Sequence, residues 1–234
     1  LLPEEPDTGG FDVVAATQGV SPFHVRSYLD AADRALDQAL TLGARPATER
    51  YTIDYAKSQG LAFLADGKEL GGGGVLKLDD AFATFSFVGS TFMFHSASEG
   101  FRVSTPGRYR ITIDAYPYQL HRPDKPVTLT MYRHANYVQG TASLDEMIGS
   151  FDLVGEAPQT LEFTPFLRPG DSIAPSVADL IEPPGDPAIT YFFPDKNVRD
   201  YTGEGIALRS MTFEGPLYDS DDAIWPPART RQLL

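Results

Sequence analysis

Apolar and polar residues alternate most regularly between Gly107 and Tyr118, and this stretch is the clearest structural signal in the chain. It follows a turn at Pro106. One side of the alternation carries Tyr109, Ile111, Ile113 and Ala115, and the other side carries Arg108, Arg110, Thr112 and Asp114. A period of two is typical of a strand with one buried face and one wet face. Such a strand predicts an antiparallel sheet.

Similar short patterns occur on both sides of this strand, separated by segments rich in Gly, Pro and Asp that are typical of turns. The further predicted strands are Arg50–Tyr55, Leu61–Leu64, Val75–Leu78, Ala81–Val88, Thr91–His95, Val127–Tyr132, Leu144–Leu153, Gln159–Phe163, Asp171–Val177 and Ile206–Glu214. About ten short strands predict a mainly β protein, an antiparallel β-sandwich with a jelly-roll-like topology. An immunoglobulin-like sandwich is the alternative, although it usually has fewer strands.

Helical spacing occurs between Ser21 and Gly43 and predicts one N-terminal α-helix. Ser21 suits the N-cap, Pro22 the first turn and Gly43 the stop. The apolar positions at helical spacing are Val25, Tyr28, Leu29, Ala32, Leu36, Ala39 and Leu40. We expect this apolar face to pack on a sheet edge or on a neighbouring domain.

These patterns predict three regions. Residues 1–46 form an irregular lead-in and a helix from the end of an upstream domain, 47–217 form the β-sandwich domain, and 218–234 form a C-terminal linker or tail. The chain begins with Leu1 and not with Met, so we expect it to be a piece of a longer protein.

Composition narrows the classes of function. The net charge of −13 argues against binding nucleic acid or an anionic membrane surface, because phosphate contacts need clustered Lys and Arg. The absence of cysteine excludes disulfides, thiolate zinc sites, cysteine nucleophiles and covalently attached haem in this chain. No apolar run approaches the roughly 18 residues of a membrane-spanning helix, so we expect no membrane insertion.

The long connection over residues 178–204 carries the most suggestive side chains. Tyr191 and Phe192, with Tyr116 and Tyr118 at the end of the central strand, are candidates for stacking against sugar rings, because such aromatics bury an apolar sugar face and keep polar edges. The same aromatics would suit core packing. Nearby, Asp195, Asn197 and Asp200 offer hard oxygen ligands at short spacing, which suits calcium. The alternative there is a turn with solvated acids.

No sequence motif supports catalysis. The four histidines, His24, His95, His121 and His134, are scattered without metal-binding spacing, and there is no Gly-x-Ser-x-Gly nucleophile motif. Gly71–Gly74 leads into a predicted strand and lacks the Lys-Ser/Thr of a phosphate loop, so a hairpin loop is the better interpretation. We therefore predict a protein that is not an enzyme; a hydrolase with a spatially assembled triad remains a third alternative.

Two sets of segments resemble parts of one known protein architecture. Gly10-Phe11-Asp12, Ser21-Pro22 and Tyr28-Leu29-Asp30-Ala31-Ala32 resemble the end of a domain of unknown function in large exported, cytochrome c-linked multidomain proteins of planctomycetes and related bacteria. The β-rich segment that follows that domain is similar to the present chain at Gly107-Arg108-Tyr109-Arg110, Gly203-Glu204-Gly205-Ile206-Ala207, Phe213-Glu214-Gly215-Pro216-Leu217 and Trp225-Pro226-Pro227.

The resemblance implies more than the residue patterns do. The β segment resembles calcium-dependent jelly-roll carbohydrate-binding modules, which implies a non-catalytic polysaccharide-binding domain of an extracytoplasmic (periplasmic or cell-surface) protein. The implied partners are a polysaccharide and the neighbouring domains of the same polypeptide, including a cytochrome c domain that carries the haem. The alternative is a structural or interaction module that positions those domains, through the 21–42 helix and the Trp225 tail, without binding a glycan.

Overall fold

The computed structural model describes residues 25, 26, 28, 29, 32, 44–66, 74–85, 94–122, 124–135, 146–192, 196–218, 225 and 230. The chain divides into two compact units. One consists of Leu1–Arg45 with Tyr218–Leu234, and the other of Pro46–Leu217. We call the second one the β unit, because it contains the strands.

In the first unit, all the described residues between positions 25 and 32 have a helical backbone. They are Val25, Arg26, Tyr28, Leu29 and Ala32, which fall within the predicted N-terminal helix. The ends of that predicted helix lie outside the described residues. The Arg45 guanidinium lies 3.9 Å from the centroid of the Tyr218 ring, and Tyr218 meets Trp225 edge-on with ring centroids 5.9 Å apart. These are cation–π and aromatic contacts that anchor Tyr218 and Trp225 locally.

The β unit has ten strands and one α-helix among its described residues. They are β1 (Glu49–Asp54), α1 (Gln59–Asp66), β2 (Val75–Lys77), β3 (Phe82–Thr84), β4 (Gly107–Tyr118), β5 (Val127–His134), β6 (Glu146–Leu153), β7 (Gln159–Phe163), β8 (Phe166–Leu167), β9 (Ser172–Ala178) and β10 (Gly205–Leu217). Short 3-10 helices occur at Tyr55–Lys57, Ala188–Phe192 and Val198–Asp200. The predicted mainly β class is confirmed.

Most of the predicted strands are confirmed, and β7 has the predicted bounds. The predicted strand Ala81–Val88 is represented by β3, while residues 86–88 lie outside the described residues. For the predicted strand Thr91–His95, residues 91–93 lie outside the described part, and Phe94 and His95 are not in a strand. The two-residue β8 is too short for an alternation to predict it.

The predicted strand Leu61–Leu64 is wrong, because these residues lie within α1. This helix follows β1, so the α-helix of the β unit is not N-terminal. Ser58 supplies the physical reason, since its Oγ accepts a hydrogen bond from the Leu61 N–H at 3.1 Å, as an N-cap does. A short apolar run suits a strand or a buried helix equally well, so the cap decides between them.

Antiparallel pairing organises the strands into two sheets. The seven-stranded sheet has the order β2-β3-β10-β4-β7, with β1 also paired to β10 and β8 to β4. The three-stranded sheet has the order β6-β5-β9. The two longest strands, β4 and β10, lie side by side, with Ile113 opposite Met211 and Ile111 opposite Phe213.

The alternation in β4 is confirmed, and its apolar side lies in the main core. That core draws side chains from both sheets, including Ile111 and Ile113 of β4 and Leu129 and Met131 of β5. A second cluster lies on the other face of β10, because Ala207 belongs to it while Ile206 and Leu208 belong to the main core. The members of the second cluster are Ala81, Ala83, Phe85, Ala188, Tyr191, Val198, Tyr201 and Ala207. At this end of the sheet both faces are therefore covered.

Close packing at Gly215 gives a testable prediction about stability. A Cβ at this position would lie 2.4 Å from Cδ1 and 2.6 Å from Cγ of the buried Tyr109 ring, whose hydroxyl donates to the Thr105 carbonyl. We expect Gly215→Ala to lower the free energy of unfolding by about 1–3 kcal/mol, as overpacking does. Urea unfolding measures this, with Gly60→Ala as the control. In that variant the nearest neighbour would be Ser58 Oγ at 3.9 Å, so no clash arises and we expect no loss of stability. A Gly215→Ala variant as stable as the wild type would contradict the packing described here.

Candidate functional site

The predicted aromatic site residues come from two segments that are distant in sequence, and the fold brings three of them together. Tyr116 and Tyr118 lie half-buried at the end of β4, and Tyr191 lies in the 3-10 helix Ala188–Phe192 of the long connection. Tyr191 belongs to the second cluster, and Tyr116 and Tyr118 pack against it. Phe192 ends the same 3-10 helix, and its side chain lies outside the described part of the structure.

Tyr191 faces inward in this arrangement. Only 6% of it is exposed, and its ring packs edge-on against Tyr201 with centroids 4.9 Å apart. Its hydroxyl donates a hydrogen bond to Asp186 Oδ2 at 2.6 Å, and that bond, followed by burial, raises the pKa of Tyr191 to about 12. The Lys196 ammonium lies 4.6 Å from the centroid of the Tyr191 ring and also pairs with Asp186. Tyr191 thus supports the cluster and offers no open face for stacking.

Tyr116 lies at the border between the sheet surface that the second cluster covers and the solvent-exposed surface beside it. Its hydroxyl is 3.5 Å from Asp80 Oδ1. Arg209 joins two carboxylates there, with Nε 2.9 Å from Asp80 Oδ2 and Nη1 2.9 Å from Asp114 Oδ2. Burial, and then the charge of Asp80, raise the pKa of Tyr116 above its ordinary value. We call Asp80, Asp114, Tyr116, Tyr118 and Arg209 the polar–aromatic edge.

A β-bulge explains how Arg209 reaches this face. The register between β10 and β4 shifts between Leu208 and Ser210, so Arg209 is an extra residue opposite the step from Ala115 to Asp114. Bulges re-aim a side chain and often lie beside functional sites. The sequence contains the signal, because the apolar period of two in β10 breaks between Leu208 and Met211.

The polar–aromatic edge combines two tyrosine rings, two carboxylates and a guanidinium that are all partly accessible. Such a set can stack on an apolar ring face and exchange hydrogen bonds with hydroxyl groups around it. Tyr116 and Tyr118 were predicted from the sequence. Asp80, Asp114 and Arg209 were not, because three different segments supply them and only the pairing of β3, β10 and β4 brings those segments together.

The predicted calcium ligands are described in part. Asp195 lies outside the described residues. Asn197 caps the 3-10 helix Val198–Asp200, with its Oδ1 accepting a hydrogen bond from the Arg199 N–H at 3.1 Å, and Asp200 is exposed. Among the described residues, no three His, Asp or Glu side chains come together as a metal site would need. Calcium binding therefore stays a prediction.

A buried carboxylate that the sequence did not single out, Glu204, holds the long connection to the end of β4. Its Oε2 lies 2.9 Å from Arg122 Nη2 and accepts the Ile181 N–H at 2.9 Å, and its Oε1 accepts the His121 N–H at 2.9 Å. Arg122 Nη2 also donates to the Asp179 carbonyl at 2.5 Å. Burial alone would raise the pKa of Glu204, but the bonds from Arg122, Ile181 and His121 hold it below its ordinary value.

A second buried polar group contains a serine and two histidines. Ser172 Oγ lies 2.5 Å from His95 Nδ1, and the rings of His95 and His134 have centroids 4.9 Å apart. A serine beside a histidine is the pairing that nucleophilic catalysis uses. Here Ser172 and both histidines are buried, and Ser172 Oγ also contacts Ser96 Oγ at 3.0 Å. A substrate could not reach this serine in the conformation described.

Comparison with known proteins covers only part of the chain. A family model described as "Protein of unknown function (DUF1587)" matches residues 1–41, which agrees with the expected domain of unknown function at the N-terminus. No curated protein matches. Among solved structures, that of Eiger TNF from S. frugiperda is similar at 14% sequence identity over 53% of this chain and 67% of that chain, with a TM-score of 0.30. A likeness this slight supports no conclusion about fold or function.

Among the described residues, no helix is long and apolar enough to cross a membrane.

Proposed function

We propose that the β unit is a non-catalytic, carbohydrate-binding-module-like β-sandwich that binds a neutral glycan at its polar–aromatic edge. The observation that carries the proposal is the position of Tyr116, half-exposed beside the ion-pair network of Asp80, Arg209 and Asp114. The two sheets contribute to one core, as the layers of a sandwich do. A jelly-roll-like topology belongs to the same proposal.

Charge favours a neutral ligand. Two carboxylates accompany the single guanidinium of the edge, and the whole chain has a net charge of −13. A polyanionic glycan would meet repulsion from this field, whereas hydroxyl groups can pair with either sign.

Calcium bound through Asp195, Asn197 and Asp200 would order the connection that covers the second cluster. That ion is part of the proposal.

The resemblance to exported cytochrome-linked proteins places this proposal in context. According to this proposal, the β unit belongs to an extracytoplasmic multidomain protein and holds a polysaccharide near the other domains, including a cytochrome c domain. Covalent attachment of a c-type haem needs cysteine, and this chain has none, so the haem would reside in that other domain.

Isothermal titration with soluble neutral polysaccharides (a β-glucan, a xylan and a mannan) tests the binding proposal. We expect Tyr116→Ala to weaken binding at least tenfold, about 1.4 kcal/mol, because the stacking ring is lost. The control is Tyr51→Ala. Tyr51 is another exposed tyrosine, on β1, and its hydroxyl donates to the Glu99 carbonyl away from the edge. Equal affinities for the wild type and Tyr116→Ala would refute the role of the edge.

A specific observation favours the second candidate, an interaction module that positions neighbouring domains. Val25, Tyr28 and Leu29 of the first unit lie at helical spacing, and all three are exposed. An apolar helix face left in water is typical of a docking surface. In this case a Leu29→Asp substitution would disturb attachment of a neighbouring domain and leave glycan titrations of the β unit unchanged.

A further inference from the structure

Glu204 joins three segments of the β unit at the end of β4. The segments are the turn Gln119–Arg122, the stretch 179–181 after β9, and Glu204 itself, directly before β10. The carboxylate accepts from the first two segments, and the Glu204 N–H donates back to the Ile181 carbonyl at 2.9 Å. Because the carboxylate is fully buried, these bonds are not exchanged with water.

Two of these segments lie beside Tyr118. On one side of this residue, Gly205 is its register partner in β10, directly after Glu204. On the other side, His121 follows three positions later and donates its N–H to Glu204. Tyr118 therefore lies between its backbone pairing with Gly205 and the turn whose His121 N–H binds the Glu204 carboxylate. Tyr116 lies two residues earlier on the same face of β4.

Two residues in the segments that Glu204 joins have an unfavourable backbone conformation. Gln119 has φ of 56° and Asp179 has φ of 63°, which is the left-handed region that residues other than glycine rarely adopt. Gln119 immediately follows Tyr118, and the Asp179 carbonyl accepts from Arg122. With its amide nitrogen turned towards the connection, Gln119 also donates to the Tyr201 and Gly203 carbonyls at 3.2 and 3.0 Å. Such residues persist where the surrounding structure over-determines them, often at functional sites.

We propose that Glu204 is the positioning residue of the polar–aromatic edge. Its carboxylate, bound by Arg122 and by the His121 and Ile181 amides, fixes the end of β4 and the connection against it, so that Tyr116 and Tyr118 meet the glycan in one geometry. The inference rests on the proposed glycan binding. Glu204 itself touches no ligand in this scheme and acts through Tyr118.

Glu204→Gln in the full chain tests the inference, because glutamine keeps the shape and removes the charge. We expect faster amide hydrogen exchange over 119–122 and 179–192, and at least tenfold weaker binding of the neutral polysaccharide that the wild type prefers. The matched control is Glu214→Gln on β10, the strand that begins directly after Glu204. Glu214 pairs with the half-exposed Arg110 far along β10, so both readouts should stay at wild-type values. Arg122→Lys, which keeps the charge, is the milder variant if Glu204→Gln does not fold.

A mutant cycle separates positioning from a general loss of stability. If Glu204 acts through Tyr118, the double variant Glu204→Gln with Tyr118→Ala loses less affinity for the polysaccharide than the product of the two single losses. Multiplying losses would overturn the inference, and so would unchanged affinity in Glu204→Gln. The absence of glycan binding by the wild type would overturn the proposed function and this role of Glu204 together. Unchanged affinity in Glu204→Gln, with wild-type binding intact, would overturn the inference alone.

Discussion

Substitution of Arg122 by alanine is expected to lower the free energy of unfolding by clearly more than the loss of an exposed ion pair does, because it leaves the fully buried Glu204 carboxylate without its cation. Arg122 also supplies the hydrogen bond to the Asp179 carbonyl, which is lost at the same time. Two backbone N–H groups would still face the carboxylate, and they are too weak to replace a guanidinium.

Urea unfolding at neutral pH measures this loss, with Arg110→Ala as the matched control. Arg110 pairs with Glu162 at 3.5 Å and with Glu214 at 3.3 Å, but all three side chains are substantially exposed. Exposed pairs contribute about 0–1 kcal/mol, so the control should change little. Equal effects of the two substitutions would mean that the Arg122–Glu204 pair is no more stabilising than a surface pair.

Lowering the pH from about 7 to about 5 is expected to destabilise the folded protein through His95. Burial, then the nearby His134 and Arg102, lower the pKa of His95 from 6.5 to about 3. In the unfolded chain this imidazole takes up a proton below pH 6.5, whereas in the folded protein it stays neutral. Stability is therefore lost as the pH falls below 6.5, at up to about 1.4 kcal/mol per pH unit.

The pH window keeps the carboxylates with lowered pKa values out of the measurement. Glu204 and Asp186 have lowered pKa values, and their stabilising contributions are lost only as the pH falls below the ordinary carboxyl range near 4. We expect His95→Gln to remove most of the slope between pH 7 and 5, because glutamine can still bond Ser172 without titrating. His121→Gln, on an exposed histidine, should keep the wild-type slope. A His95→Gln slope equal to that of the wild type would contradict the prediction.

The strands could be predicted because their alternation reflects burial directly. In β4 between Arg108 and Ala115, each inward position is apolar and each outward position is polar, so the period of two identifies the strand and its faces. The apolar run Leu61–Leu64 has no such period, and only the cap by Ser58 distinguishes a helix from a strand. Capping acts through a single hydrogen bond, which the sequence indicates weakly.

The candidate site could be predicted only in part, because it depends on long-range pairing. Tyr116 and Tyr118 follow from the end of a predicted strand, but Asp80 and Arg209 join them through the β3–β10–β4 register and a bulge. Tyr191 shows a second limit. A tyrosine suits a core and a binding face equally well, and the inward position of Tyr191 depends on how the connection folds over Ala207 and Phe85. Glu204 resembles any other acid in the sequence until its three hydrogen-bonding partners are brought to it.

The most direct test of the central claim is the thermal unfolding midpoint of the wild type and of Tyr116→Ala, with and without calcium, against a panel of neutral and anionic polysaccharides. A ligand that binds only the folded state raises the midpoint by mass action. We expect a neutral polysaccharide to raise the wild-type midpoint, an anionic one to leave it unchanged, and Tyr116→Ala to remove the rise; a larger rise with calcium would support the calcium site. No shift with any polysaccharide, or an equal shift in Tyr116→Ala, would contradict glycan binding at the polar–aromatic edge.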